Sequence, residues 1–131
     1  MGNSDGPIIM DGRKLAGAIQ ARLKKETLAL REKGIIPGLA TILVGDDAPS
    51  ATYIAMKHRT CQQIGIRSIH THLPATTTQE DLVRAISQLN ENSEVDAILM
   101  QIPLPKDLDE HGALFAVAPE KDADGLNPIN L

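Results

Sequence analysis

Ser50, Tyr53 and Lys57 are spaced to share one face of a helix, and that face is the apolar one. At roughly 100° per residue, Tyr53, Ile54, Lys57, Cys61 and Ile64 all fall within about 60° of Ser50, whereas His58, Arg59, Gln62 and Gln63 fall outside that arc. A lysine on a half-buried face loses hydration, which favours its uncharged form and makes it a usable base, acid or nucleophile. Tyr53, one turn earlier, sets a flat ring beside it. Ser50 is expected to open the helix, where backbone N–H groups are free. The plainer alternative is that Lys57 reaches past the apolar residues into water and Tyr53 simply packs.

Gln101 interrupts the apolar run AILMQIP at 97–103. A buried amide needs partners, so it is either a satisfied strand-end residue or an amide that orients a catalytic group or a ligand. Pro103 and Pro105 remove two backbone donors and stiffen that rim. Further on, KDADGLNP at 121–128 sets Asp122 and Asp124 on either side of Ala123 and ahead of Gly125. A carboxylate in a rigid turn can accept from the N–H groups of a heterocycle, and an ordinary Asx turn is the alternative. His70 and His72 would share a strand face, but no third ligand is evident and no metal site is expected. Cys61 reads as a small apolar filler. No GxGxxG or GxxxxGK[ST] pattern occurs, so no dinucleotide or P-loop site is expected in these residues.

The elements that must position these groups follow from punctuation and periodicity. Asp11 is placed to cap a helix over 11–33, with Leu15, Ile19, Leu23 and Leu30 on its apolar stripe and Gly34 to end it. LATILV at 39–44 is a continuous apolar run, as in a strand buried on both faces. A loop over 45–49 leads to the helix at 50–64, closed by Gly65, and then to a strand over 66–73. TTQE at 77–80 has capping-box spacing ahead of a third helix. A strand over 97–102 and a short helix over 109–117 complete the pattern. Strands alternating with helices give an α/β fold, a three-layer α/β/α arrangement with a mostly parallel sheet. Ligands in such sheets bind outside the carboxyl ends of the strands, which directs attention to the residues after Val44 and after Met100 and to the tail.

Composition narrows the function classes. The chain has 131 residues, one domain's length, with 13 Lys plus Arg against 17 Asp plus Glu, a formal net charge of −4. Two aromatic residues, Tyr53 and Phe115, and a mildly acidic balance lack the basic footprint and stacking rings of a nucleic-acid binder, so no nucleic-acid partner is expected. No apolar run approaches a membrane span, and the N-terminus lacks the pattern of a secretory signal. A single cysteine forms no internal disulfide and suits a reducing cytoplasm.

Three motifs together carry a resemblance. P-S-x-x-Y-I-x-x-K running on to IGI (49–66), M-Q-I-P-L-P (100–105) and P-E-K-D-A-D-G-L-N-P-I-N (119–130) resemble the bifunctional methylenetetrahydrofolate dehydrogenase/methenyltetrahydrofolate cyclohydrolase (FolD) family. The likeness runs from about Pro7 to Leu131. Met100 and Ile102 stand for other aliphatic residues of the family, and Ala123 for a more usual valine. The resemblance implies oxidation of 5,10-methylene-tetrahydrofolate with NADP, then hydrolysis of the 5,10-methenyl form to 10-formyl-tetrahydrofolate. It implies that Lys57 is the catalytic lysine of the hydrolytic step and that Gln101 positions it. Tyr53 would stack on the aminobenzoyl group, Asp124 would anchor the pterin, and Ser50 and Pro103 would line the substrate cleft.

The family continues into an NADP-binding Rossmann domain and returns with a C-terminal helix, and neither is in this sequence. The expected organisation is therefore a flexible lead-in over 1–6 and a folate-side catalytic domain over 7–131 without its return helix. Little dehydrogenase activity is expected of the chain alone, and no metal. An apolar patch left by the absent helix would favour self-association, while the resemblance implies a homodimeric parent. Two other readings stay open: a Schiff-base enzyme with Lys57 as nucleophile, and a folate-binding module without turnover.

Overall fold

The computed structural model of the chain describes residues 6–131. The expected lead-in at 1–6 thus falls, Gly6 apart, outside the described residues. Three strands, β1 (Gly38–Val44), β2 (Arg67–Leu73) and β3 (Ala97–Met100), form a parallel sheet in the order β2-β1-β3. Four helices accompany them: α1 (Gly12–Glu32), α2 (Ala48–Ile64), α3 (Gln79–Glu91) and α4 (Glu110–Ala116). Two short 3₁₀ turns, Pro119–Lys121 and Pro128–Asn130, shape the tail. The expected α/β architecture is the observed one.

β1 lies in the middle, in register with Arg67–Leu73 on one side and Ala97–Met100 on the other. Side chains alternate across a strand, and the two faces of β1 are clothed differently. Ala40, Ile42 and Val44 join Ile98 and Met100 in a core with Leu82, Ile86 and Leu89 of α3 and Ala113 of α4. Thr41, Leu43 and Leu99 are buried on the other face, on the side of Ile54, Cys61 and Ile64 of α2. That double burial explains why LATILV carries no polar alternation.

Several boundaries differ from the sequence expectation. α2 begins at Ala48, capped by Asp47, and not at Ser50. The cap of α3 is Thr78, accepting from the Asp81 N–H at 3.1 Å, because the Thr77 hydroxyl donates instead to the Pro74 carbonyl at 2.6 Å. β3 ends at Met100, not at 102, although Gln101 still donates its backbone N–H to the Ile42 carbonyl at 2.8 Å before the prolines end the ladder. Asp11 caps α1 as expected. The apolar stripe of α1, however, meets little protein: Leu15 is 63% exposed, and Ile19 and Leu28 are also exposed. α1 is fastened near its C-terminal half, where the buried Thr27 bonds to the Ile64 carbonyl at the end of α2.

Glycine is required at two junctions. Gly65 adopts φ 85° to end α2. At Gly38 a methyl group would overlap the Glu94 carbonyl oxygen, because the start of β1 is pressed against the chain entering β3, with Gly38 N–H donating to Asp96 Oδ2 at 2.8 Å.

Leu82 is fully buried at the centre of the α3–sheet core. Leu82→Ala is expected to lower unfolding stability by about 2–5 kcal/mol, read as a reduced midpoint in urea at unchanged slope.

Candidate functional site

The loop after β1 turns at Gly45 (φ 88°) and delivers Asp47 to the start of α2. The Asp47 carboxylate accepts from the Ser50 backbone N–H at 3.1 Å and from the Ser50 hydroxyl at 2.7 Å. Those bonds, the hydroxyl first, hold the Asp47 carboxyl below its usual range against a small opposing effect of burial. Ser50 itself is 2% exposed. Its proton is committed to Asp47, so toward any other group it can only accept.

One turn on, Tyr53 is 56% exposed, its ring toward solvent and not packed away. Another turn brings Lys57, half-buried, whose Nζ donates to Gln101 Oε1 at 3.1 Å. Gln101 follows β3 by one residue, and strand alternation sends its side chain to the α2 side, opposite to Met100. Its Nε2 donates to the Ile102 carbonyl at 3.1 Å. With the amide nitrogen engaged there, the amide oxygen is the end that faces the lysine. The stem of Lys57 lines an apolar cleft of about 360 Å³ with Leu39, Met56, Cys61 and Leu99. Burial pushes the neighbouring Cys61 thiol up, as suits an inert filler.

Pro103, exposed beyond a cis Ile102–Pro103 peptide, lines a cavity of about 250 Å³ with Gly45, Asp46 and Asp47. The carboxyl ends of β1 and β3 therefore share a rim, as open parallel sheets lead one to expect. On the far side of β1, His70 Nδ1 lies 2.8 Å from Thr41 Oγ1, and His72 Nε2 donates to the Gly45 carbonyl at 2.7 Å. Both rings serve the sheet and the loop.

The two aspartates of the tail part company. Asp122 accepts from the Asn127 N–H at 2.8 Å and from Asn130 Nδ2 at 3.1 Å. Burial raises its carboxyl, but these bonds and those from Leu126 and Gly125 outweigh it and leave the group below its ordinary value. Asn127, 1% exposed, donates to the Val117 carbonyl at 2.8 Å. Asp124 stands outside this network and is exposed. The structure thus joins Lys57 to Gln101 directly and puts Ser50 and Tyr53 on the same helix, with Pro103 on the adjoining rim. It makes no hydrogen bond from Asp124 to the Lys57–Gln101 pair. Of the two carboxylates that the tail offers as ligand acceptors, Asp122 is thus the one spent on the turn itself, and Asp47 and Asn127 are site-building residues that the sequence does not mark as such. Asn-Pro at 127–128 was a signal for the last of them, because Asn127 caps the closing 3₁₀ turn.

Residues 10–124 match the tetrahydrofolate dehydrogenase/cyclohydrolase catalytic-domain family. The chain belongs to that family. It is 47% identical over 123 residues to the bifunctional protein FolD of Syntrophotalea carbinolica, covering 94% of this chain and 42% of that protein. The crystal structure of the Campylobacter jejuni bifunctional enzyme FolD superposes with a TM-score of 0.90 at 40% identity, over 92% of this chain and 43% of that one. The Trypanosoma brucei dehydrogenase-cyclohydrolase, solved with NADP cofactor and inhibitor, gives a TM-score of 0.89 at 42% identity, over 93% of this chain and 42% of that one. This member of the family thus spans less than half the length of the relatives it matches. Both the family and the fold that the three sequence motifs implied are the ones found.

A depressed carboxyl stabilises the folded state above its unfolded value and loses that effect as pH falls through the folded value. The destabilisation caused by Asp122→Asn should therefore be largest above about pH 5 and shrink below about pH 4. Urea unfolding of both proteins across that range measures it.

Proposed function

We propose that residues 7–131 form the folate-side catalytic domain of an enzyme that oxidises 5,10-methylene-tetrahydrofolate with NADP and hydrolyses the 5,10-methenyl product to 10-formyl-tetrahydrofolate. The observation that carries the hydrolytic half is the bond from Lys57 Nζ to Gln101 Oε1 at the carboxyl end of β3. The methenyl carbon is part of an amidinium-like cation. A water oxygen forms the new bond to that carbon and loses a proton, and the amine of Lys57 is the base within reach of the cleft. The adduct opens when one C–N bond breaks and the departing nitrogen takes a proton back from Lys57. One proton is released overall, because a cation and water become a neutral formamide. Gln101 limits the rotamers of Lys57, which holds the amine at the reacting carbon.

Tyr53 supports the reading as an exposed ring one turn from Lys57, free to stack on the aminobenzoyl group. The free carboxylate of Asp124 suits the paired N–H groups of a pterin edge, while Ser50 and Pro103 would line the entrance. The pyrophosphate of a nicotinamide cofactor finds no uncapped α-helix start among the described residues. A pyrophosphate is held by bare N–H groups at a helix start. Here the starts of α2, α3 and α4 are already capped by Asp47, Thr78 and Asp109, with Glu80, Asp81 and Glu110 in the first turns of α3 and α4. None of these α-helix starts is therefore assigned to NADP. Among the described residues no helix is long and apolar enough to cross a membrane. A cytoplasmic location is supported by the single cysteine, Cys61, which is buried as a free thiol and suits a reducing compartment. The exposed Ile8, Ile9, Met10, Leu15 and Ile19 support self-association of this chain and a homodimeric parent.

Decay of the methenyl-tetrahydrofolate chromophore tests the reading. The chain should accelerate hydrolysis over buffer, and Lys57→Met should remove about 10²–10⁴-fold of that acceleration. Equal rates for chain, variant and buffer would contradict hydrolysis and leave a folate-binding module.

A further inference from the structure

α3 ends without a cation of its own: no basic residue lies in its last turn. The last carbonyls of a helix lack intrahelical partners and form the negative end of its dipole. Lys121, 30 residues beyond that end, fills the gap. Its Nζ donates to the Asn90 carbonyl at 2.7 Å and the Asn92 carbonyl at 3.1 Å, with the Leu89 carbonyl at 3.5 Å. Asn90 adds two more ties, from Nδ2 to the Ala116 carbonyl at 2.8 Å and from the Ala118 N–H to Oδ1 at 2.9 Å. The next residue, Asp122, bridges to Ile98 of β3, and Ala123 N–H donates to the Ile98 carbonyl at 3.2 Å. Beyond it, Asp122 gathers Asn127 and Asn130. The turn bearing Asp124 is therefore suspended between two anchors, the Lys121 clamp on α3 and the Asp122 network.

We propose that Lys121 is a positioning residue for ligand capture by Asp124. It acts through α3 and the 122–125 turn, without touching the ligand. The proposal rests on the folate reading above for the identity of the ligand, but not for the clamp itself. Three charge-assisted bonds from one ammonium are a concentrated restraint. Their loss loosens the segment between Ala118 and Gly125, leaving it to the Asn90 tie, the Ile98 bridge and the Asp122 network.

Two measurements on the chain and on Lys121→Met, Lys121→Arg, Asp124→Asn and the Lys121→Met/Asp124→Asn double variant test this. The first is amide hydrogen exchange. Lys121→Met should raise exchange about ten-fold or more at Ala123, Gly125 and Asn127 while β1 amides keep their protection, and Lys121→Arg should stay close to wild type. The second is the dissociation constant for 5-formyl-tetrahydrofolate. Lys121→Met should weaken it about ten-fold, and the double variant should be no weaker than Asp124→Asn alone. Unchanged exchange in Lys121→Met, or losses of affinity that add in the double variant, would overturn the proposal. A wild-type chain that does not bind the probe overturns the folate reading instead, and exchange then decides whether Lys121 holds the turn.

Discussion

β1 is hydrogen-bonded along both edges and buried on both faces, and nearly every other feature is placed relative to it. Because its neighbours run parallel to it, the loops after β1 and after β3 emerge at the same end of the sheet. Because side chains alternate, Met100 enters the α3 core and Gln101 turns to the α2 side. A shift of one residue in the β1–β3 register would exchange those two and bury the amide where it has no partner. The same register is pinned at the opposite end, where Gly38 meets the Glu94 carbonyl and Asp96. Packing of the core and placement of the Lys57–Gln101 pair are thus one constraint, not two.

Polar groups at this end of the molecule divide between those consumed by the scaffold and those left free. The Asp47 carboxylate and the Ser50 hydroxyl satisfy each other at the start of α2. Asp122, Asn127 and Asn130 satisfy a tail that has almost no regular structure. Tyr53 and Asp124 remain exposed beside them. An irregular segment can present a carboxylate in a fixed direction only if its own backbone groups are already paired, and that is what the scaffold residues provide.

Much of this was legible in the sequence, and the gaps have physical causes. Asp11, Gly65 and LATILV announced their elements because capping, left-handed backbone and double burial each demand particular residue types. Lys57 was marked by its place on an apolar helix face and Gln101 by its place in an apolar run, and the two meet. The start of α2 was missed by two residues because Asp47 and Ser50 are both good caps, and only the path of the loop decides between them. Thr77 and Thr78 pose the same ambiguity. Asp122 and Asp124 are one residue type in one turn, and their division of labour depends on where Asn127 and Asn130 arrive. Lys121 was invisible because its partners are the carbonyls of a helix ending some 30 residues earlier. The exposed stripe of α1 could not be told from a buried one by periodicity alone, since periodicity reports which face is apolar and not what covers it.

Hydrolysis at this site depends, in the proposed mechanism, on Gln101 acting through Lys57. A double-mutant cycle on methenyl-tetrahydrofolate hydrolysis, with Lys57→Met, Gln101→Leu and both together, measures that dependence most directly. If Gln101 serves to hold the lysine, the double variant is no slower than Lys57→Met alone, and Gln101→Leu slows hydrolysis only while Lys57 is present. Losses that multiply in the double variant, or a Gln101→Leu protein as fast as wild type, would contradict it.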